Sequence, residues 1–90
     1  MNKAELVEEV SNQTGLTKKT SREAVDVITS VVTDALVGGE KVTLVGFGTF
    51  QIMERKARTG RNPQTGGIIQ IPAKKVPKFR PEKDLRETVR

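Results

Sequence analysis

The chain contains no cysteine, histidine, tryptophan or tyrosine, and its only aromatic residues are Phe47, Phe50 and Phe79. Without cysteine there is no disulfide, and without cysteine or histidine the usual ligands of a transition-metal site are missing. The same absences remove the commonest general base and the thiol nucleophile, and the acids cluster on the predicted helices with no motif spacing. No enzymatic activity, cofactor or metal is expected. No apolar run near the start is long enough for a signal peptide or a membrane span. A cytoplasmic location with no membrane partner is therefore expected, and the lack of cysteine is compatible with it.

A third absence is local. From Arg55 to Pro81 there is no Asp or Glu, while Arg55, Lys56, Arg58, Arg61, Lys74, Lys75, Lys78 and Arg80 supply eight cations. The imbalance runs through the whole chain. Residues 1–40 carry four bases against seven acids, and residues 41–90 carry twelve bases against four. The overall charge of +5 thus conceals an acidic first part and a strongly basic second part. A solvated neutral face mixes both signs, whereas a one-signed stretch points to a polyanion, above all nucleic acid.

Ninety residues make one domain at most, and only 34% of them are apolar. A body this small buries about 60% of its unfolded surface and is marginal alone. With disulfides and metals excluded, oligomerisation is the remaining common remedy, and a homodimer is expected.

Asn2 followed by Glu5 fits a capping box, with Leu6, Val7 and Val10 as the first apolar stripe and Gly15 as the stop. Thr17 suits the N-cap of a second, longer helix, in which Ala24, Val25, Ile28, Val31, Val32, Ala35 and Leu36 recur at helical spacing until Gly38-Gly39. Two helices joined by a short turn raise the possibility of a helix-turn-helix reader. That reading fails because the second helix has Lys18, Lys19 and Arg22 only in its first turns, and its wide apolar face suits a dimer seam.

From Lys41 the period becomes that of strands. Val42, Leu44, Phe50 and Ile52 alternate around a Gly46-Phe47-Gly48 turn, which lacks the third glycine and following helix of a phosphate-binding loop. The second strand runs from about Thr49 into the basic arm, turns at Asn62–Gly66 and returns through Ile68, Ile69 and Ile71. Pro72 and Pro77 assign the return strand to an edge or a bend, and Pro81 is expected to open a last helix containing Leu85 and Val89. The expected order is α-α-β-β-β-α, an α+β chain with a long hairpin between its second and third strands.

Within the basic stretch, Arg55, Arg58, Arg61, Lys74, Lys78 and Arg80 are the favoured contacts because they lie in the arm or at its root, whereas Lys56 and Lys75 read equally well as solubilising charges. Arginine suits a narrow groove, since guanidinium is planar and sheds water readily. Pro63 has two readings: a turn former with fixed φ, which the residues alone favour, or a wedge between base pairs. The three phenylalanines read as core or dimer interface rather than base-stacking platforms, which weakens an RNA-binding reading.

Taken together, Met1-Asn2-Lys3, Gly46-Phe47-Gly48-Thr49-Phe50, Gly60-Arg61-Asn62-Pro63-Gln64-Thr65-Gly66, Ile71-Pro72-Ala73 and Val76-Pro77-Lys78-Phe79 resemble the bacterial HU/IHF family of DNA-bending proteins over essentially the whole chain. The glycine-rich tip is the most specific part. The resemblance implies an intertwined homodimer with two N-terminal helices, a three-stranded antiparallel sheet with a long β-hairpin arm and a short C-terminal helix. Residues 1–90 would form one DNA-binding domain: 1–40 the helical dimerisation part, 41–81 the sheet and arm, 82–90 the last helix. The two arms would wrap duplex DNA through the minor groove and bend it with little sequence preference, favouring bent, nicked or distorted DNA in the nucleoid. That mechanism is a general property of the family rather than something read from these residues. By the same resemblance Pro63 would be the intercalating wedge, with Arg55, Arg58, Arg61 and Asn62 on the arm. Lys74, Lys75, Lys78 and Arg80 would meet phosphates, Lys3 and Lys83 would touch the flanking DNA, and Phe47, Phe50 and Phe79 would form the dimer core. An IHF-like subunit with sequence preference and an RNA- or ribosome-binding basic protein are the alternatives. The chain departs from the pattern at Met53, where many HU relatives have arginine. It departs again at Gly67-Ile68, where a Lys-Glu pair is common, and at Pro81-Glu82, where a small residue and glycine are usual.

Overall fold

A computed structural model describes all 90 residues, which form two compact units, Met1–Asp34 and Ala35–Arg90. Helix α1 spans Lys3–Thr14 and α2 spans Lys18–Val37. Both start as their caps dictate. The Asn2 Oδ1 accepts from the Glu5 amide at 2.9 Å while Glu5 Oε1 accepts from the Asn2 amide at 3.2 Å, so two otherwise orphaned donors are satisfied reciprocally. Thr17 Oγ1 accepts from the Thr20 amide at 3.1 Å. Gly15 closes α1 in the left-handed conformation at φ 77°, which lets its amide reach back to the Ser11 carbonyl at 3.0 Å.

The second unit holds β1 (Val42–Leu44), β2 (Gly48–Arg55), β3 (Arg58–Arg61), β4 (Ile68–Ile71), β5 (Lys74–Pro81) and α3 (Lys83–Thr88). A three-stranded antiparallel sheet has the order β1-β2-β5, and β3 pairs with β4 as a separate two-stranded ribbon. The sequence predicts three strands where five are found, because each long strand is broken. The break falls at the same level on both sides: Lys56-Ala57 separates β2 from β3, and Pro72-Ala73 separates β4 from β5. Proline has no amide to give the ladder, so Pro72 ends the pairing where the sequence expects it. Pro77 does not interrupt β5. It sits inside the strand opposite Ile52, and β5 is an outer strand with one open side, so the missing donor can face away from the sheet.

Pro81 is a correction. It is the last residue of β5, paired with Gly48, and Glu82 rather than Pro81 stands at the N-cap of α3. Glu82 does not cap its own helix through its side chain. Its Oε2 accepts the Gly46 amide at 2.9 Å, and its own amide donates to the Phe47 carbonyl at 3.0 Å. The acid at this departure from the family pattern thereby ties the Gly46-Phe47-Gly48 turn to the start of α3.

The rings cluster on that turn. Phe50 lies directly across from Phe79 with centroids 4.9 Å apart, and Phe47 meets Phe79 at 5.2 Å, both within the range of favourable tilted aromatic pairs. They are not enclosed by their own chain, since Phe47 is 44% and Phe79 39% exposed. The same holds along α2, where Ile28 and Val31 of the predicted stripe are 60% and 59% exposed and only Val25 of that stripe is buried. Val7, Ser21 and Val25 are the buried side chains of the first unit.

Gly48 is where packing is tightest. A Cβ on it would lie 2.5 Å from the Phe79 ring and 2.7 Å from the Arg80 carbonyl oxygen, which is backbone and cannot swing aside. Gly48→Ala is expected to cost about 1–3 kcal/mol, the usual range for overpacking, and to lower the urea midpoint at constant slope. An unchanged midpoint would show that Phe79 has room to move.

Candidate nucleic-acid interface

Side chains alternate along a strand, and residues directly opposite each other share a face. The β2–β5 register therefore divides the basic residues. Thr49↔Arg80, Gln51↔Lys78, Met53↔Val76 and Arg55↔Lys74 stand on one face, and Phe50↔Phe79, Ile52↔Pro77 and Glu54↔Lys75 on the other. Through β1, Thr43 joins the first face, its hydroxyl 3.3 Å from that of Thr49, while Val42 joins the second. One face of the sheet is thus polar and cationic and the other largely apolar. Arg55, Lys74, Lys78 and Arg80 are brought together as an exposed set without any acid among them.

Lys75 is not in that set. It stands on the apolar side opposite Glu54, and its Nζ lies 3.7 Å from Glu54 Oε1. This pair is exposed and worth little in stability, but it removes Lys75 from the cationic face. Sequence reasoning missed Thr43, Thr49 and Gln51 as members of that face, although counting back from Arg55 in steps of two reaches Gln51 and Thr49. Met53, with Val76 opposite, forms an apolar rung between the Gln51–Lys78 and Arg55–Lys74 rungs.

In the ribbon, Arg58 faces Ile71 and Gly60 faces Ile69 on one side, while Thr59 faces Gln70 and Arg61 faces Ile68 on the other. Arg58 and Arg61 are three residues apart, so the ribbon presents one arginine on each of its faces. At its root, Arg55, Lys56, Arg58 and Lys74 line a recess together with Ile71, Pro72 and Ala73. Lys56 is therefore part of the arm's base, beside the favoured arginines.

The tip is held by its own backbone and one side chain. The Asn62 amide donates to the Gly67 carbonyl at 2.8 Å, the Gly66 amide to the Asn62 carbonyl at 2.7 Å, and the Gln64 amide to Asn62 Oδ1 at 2.9 Å. Gly66 adopts φ 72°, which favours glycine. The Asn62 side-chain oxygen is thus committed to the turn. Pro63 is exposed at the apex.

Lys3 and Lys83 are each drawn to a carboxylate of their own unit. Lys3 pairs with Asp26 of α2, and Lys83 Nζ lies 4.0 Å from Glu87 one turn further along α3. Both remain exposed.

An antiparallel sheet with one cationic face, extended by a ribbon whose loop is built to expose proline, defines a basic β-ribbon protein suited to a polyanionic surface. The family model described as bacterial DNA-binding protein matches residues 1–90, and the chain belongs to that family, which is one of DNA-binding architectural proteins and not of enzymes. It is 51% identical over 90 residues to DNA-binding protein HU of Geobacillus stearothermophilus, covering 100% of both chains. It is 54% identical over 89 residues to DNA-binding protein HU of Lactococcus lactis, covering 99% of this chain and 98% of the relative. Among solved structures, the Anabaena HU–DNA cocrystal structure superposes with a TM-score of 0.87 at 46% identity, covering 99% of this chain and 97% of that one. No helix is long and apolar enough to cross a membrane.

The face assignment makes a direct prediction. Lys78→Ala or Arg80→Ala is expected to lower the slope of log affinity for duplex DNA against log salt by about one unit for each phosphate left without its cation. Lys75→Ala, from the opposite face, is expected to leave the slope unchanged. Equal slopes for all three variants in a fluorescence-anisotropy salt titration would refute the division of the sheet.

Proposed function

We propose that this protein is an architectural DNA-binding protein of the bacterial nucleoid that binds duplex DNA with little sequence preference, as a homodimer, and bends it through the minor groove. The observation that carries the proposal is the cationic face. Arg55, Lys74, Lys78 and Arg80 stand together on one side of the sheet, continuous in sequence with a ribbon carrying Arg58 and Arg61 and ending at an exposed Pro63. Phosphate contacts of this kind are blind to sequence and supply the affinity of non-specific binding. The names of the relatives and the DNA in the Anabaena complex support the same ligand.

In this reading the whole of residues 1–90 works as one DNA-binding domain. The helices of 1–40 and the ring cluster of Phe47, Phe50 and Phe79 join two copies, 41–81 carries the sheet and arm, and 82–90 closes the chain. The cationic face lies under the duplex and each ribbon enters a minor groove. Pro63 inserts at a base step, which costs a few kcal/mol of unstacking that the apolar ring helps to offset while the bent duplex gains contact with the sheet. Bent, nicked or otherwise distorted duplexes are preferred because part of that cost is already met. Asn62 acts by fixing the tip. Lys75, paired to Glu54, acts at a distance from the phosphates, and Lys3 and Lys83 reach flanking DNA only by leaving Asp26 and Glu87.

Energy transfer between dyes at the two ends of a short duplex tests the bend. Saturating protein is expected to bring the ends together. Pro63→Ala is expected to relax the bend while leaving the salt slope intact and changing stability by less than about 1 kcal/mol. A bend that survives Pro63→Ala at saturation would reduce Pro63 to a turn former.

The exposed Ile28, Val31, Phe47 and Phe79 of the single chain support a dimer in which they are covered. The melting temperature is expected to rise with protein concentration, as mass action requires when the folded unit is dimeric. A stable monomer at micromolar concentration in sedimentation equilibrium would overturn this part.

A further inference from the structure

The distal ribbon carries an apolar residue that DNA bending alone does not require. Ile68 is 74% exposed and stands directly across from Arg61, so both side chains share a face beside the Asn62–Gly66 tip. From Gly66 to Ala73 there is no charged side chain, and Gln70 is the only polar one. Gln70, with Thr59 opposite, forms the next rung on that same face, about 6.7 Å nearer the body at strand spacing. The distal rung itself therefore offers one guanidinium for phosphate and, beside it, bare methyl groups with no donor or acceptor.

A minor groove presents sugar edges to whatever enters it, and in RNA those edges carry 2′-hydroxyls. A hydroxyl buried against isoleucine loses its water without gaining a partner, whereas the CH₂ of deoxyribose loses nothing by the same approach. We propose that Ile68, placed beside Arg61 on the distal rung, is a specificity-determining residue that selects deoxyribose over ribose in the groove the arm occupies. The inference rests on the proposed minor-groove binding. It gives the apolar end of the arm a role that phosphate contacts cannot perform, since phosphates are the same in both nucleic acids.

The test uses one centrally nicked duplex in three versions: all deoxyribose, ribose at the positions flanking the nick, and 2′-fluoro sugars at those same positions. The 2′-fluoro sugar favours the ribose pucker but has no hydroxyl to donate, so it separates the hydroxyl from the helix geometry it imposes. The unsubstituted protein is expected to bind the ribose version roughly 5- to 150-fold more weakly than the deoxyribose version, the range set by leaving one buried polar group unpaired. The 2′-fluoro version is expected to bind nearly as well as DNA. Ile68→Thr keeps a β-branched residue in β4 and adds a hydroxyl that can pair with a 2′-hydroxyl but finds no partner on the deoxyribose CH₂, so it is expected to narrow the ribose penalty from both sides, weakening the deoxyribose duplex and strengthening the ribose one. Equal binding of all three duplexes, a 2′-fluoro penalty as large as that of ribose, or an unchanged penalty with Ile68→Thr would each overturn the inference. Failure of the unsubstituted protein to bind the all-deoxyribose duplex would be a different result, removing the proposed function and the inference with it.

Discussion

The antiparallel register between β2 and β5 is the constraint on which the rest of this structure depends. Because side chains alternate, a slip of one residue would exchange the two faces of β5. Lys74, Lys78 and Arg80 would then stand beside the phenylalanines, and Phe79 would be turned onto the face of Thr49 and Gln51. Two features fix the register. Gly48 accepts the close approach of Phe79 and of the Arg80 carbonyl, which leaves no room for another residue there. Glu82, immediately after β5, holds the Gly46 and Phe47 backbone through two hydrogen bonds, so the end of β5 is tied to the start of β2. The aromatic pairs then stack on the side so defined. The cationic face is thus a consequence of how a glycine, a glutamate and three rings meet at the opposite end of the sheet from the arm.

Much of this could be read in the sequence because the signals were local. The Asn2–Glu5 capping box, the Gly15 stop and the Thr17 cap lie within a few residues of the backbone groups they satisfy, and each acts where it is expected. The Asn62–Gly66 turn is equally local. What was not legible depends on partners far along the chain. Pro81 has the composition of a helix start, but its pairing with Gly48, 33 positions earlier, keeps it in the sheet. Glu82 resembles an N-cap acid or a charge placed against DNA, and only the fold brings Gly46 to it, 36 positions away. Lys75 is one of a run of basic residues in the sequence. Only the strand period together with Glu54 opposite sends it to the other face. The strand count differed for a related reason: a ladder broken at the same level in both strands looks like one long hairpin to any reading that follows hydrophobic pattern alone.

The apolar residues left exposed by one chain bear on how the protein combines stability with a large binding surface. A 90-residue chain that sends residues 56–73 outward as a ribbon and its root has given up a fifth of its length to a segment that contributes little core. What remains cannot also enclose the stripe of α2 and the ring cluster. In the proposed dimer the same surfaces become interface, so stability and the pairing of two arms have one physical origin. A monomer that solved the burial problem internally would have a single arm and could hold a duplex from one side only.

The tip of the ribbon shows how such an arm can act without a core beneath it. A two-stranded ribbon is marginally stable in water, and β3 and β4 contribute only four rungs. Packing therefore cannot fix the apex, and local bonds do so instead. Asn62 contributes its amide, its carbonyl and its side-chain oxygen to three separate hydrogen bonds across the turn, and Gly66 takes the left-handed conformation that lets the chain reverse. Pro63 follows Asn62 directly, with its φ set by its own ring. The exposed Pro63 is thus held by the residue beside it. Asn62, a polar side chain without charge, thereby fixes the apex of the arm through bonds to its own neighbours in the turn.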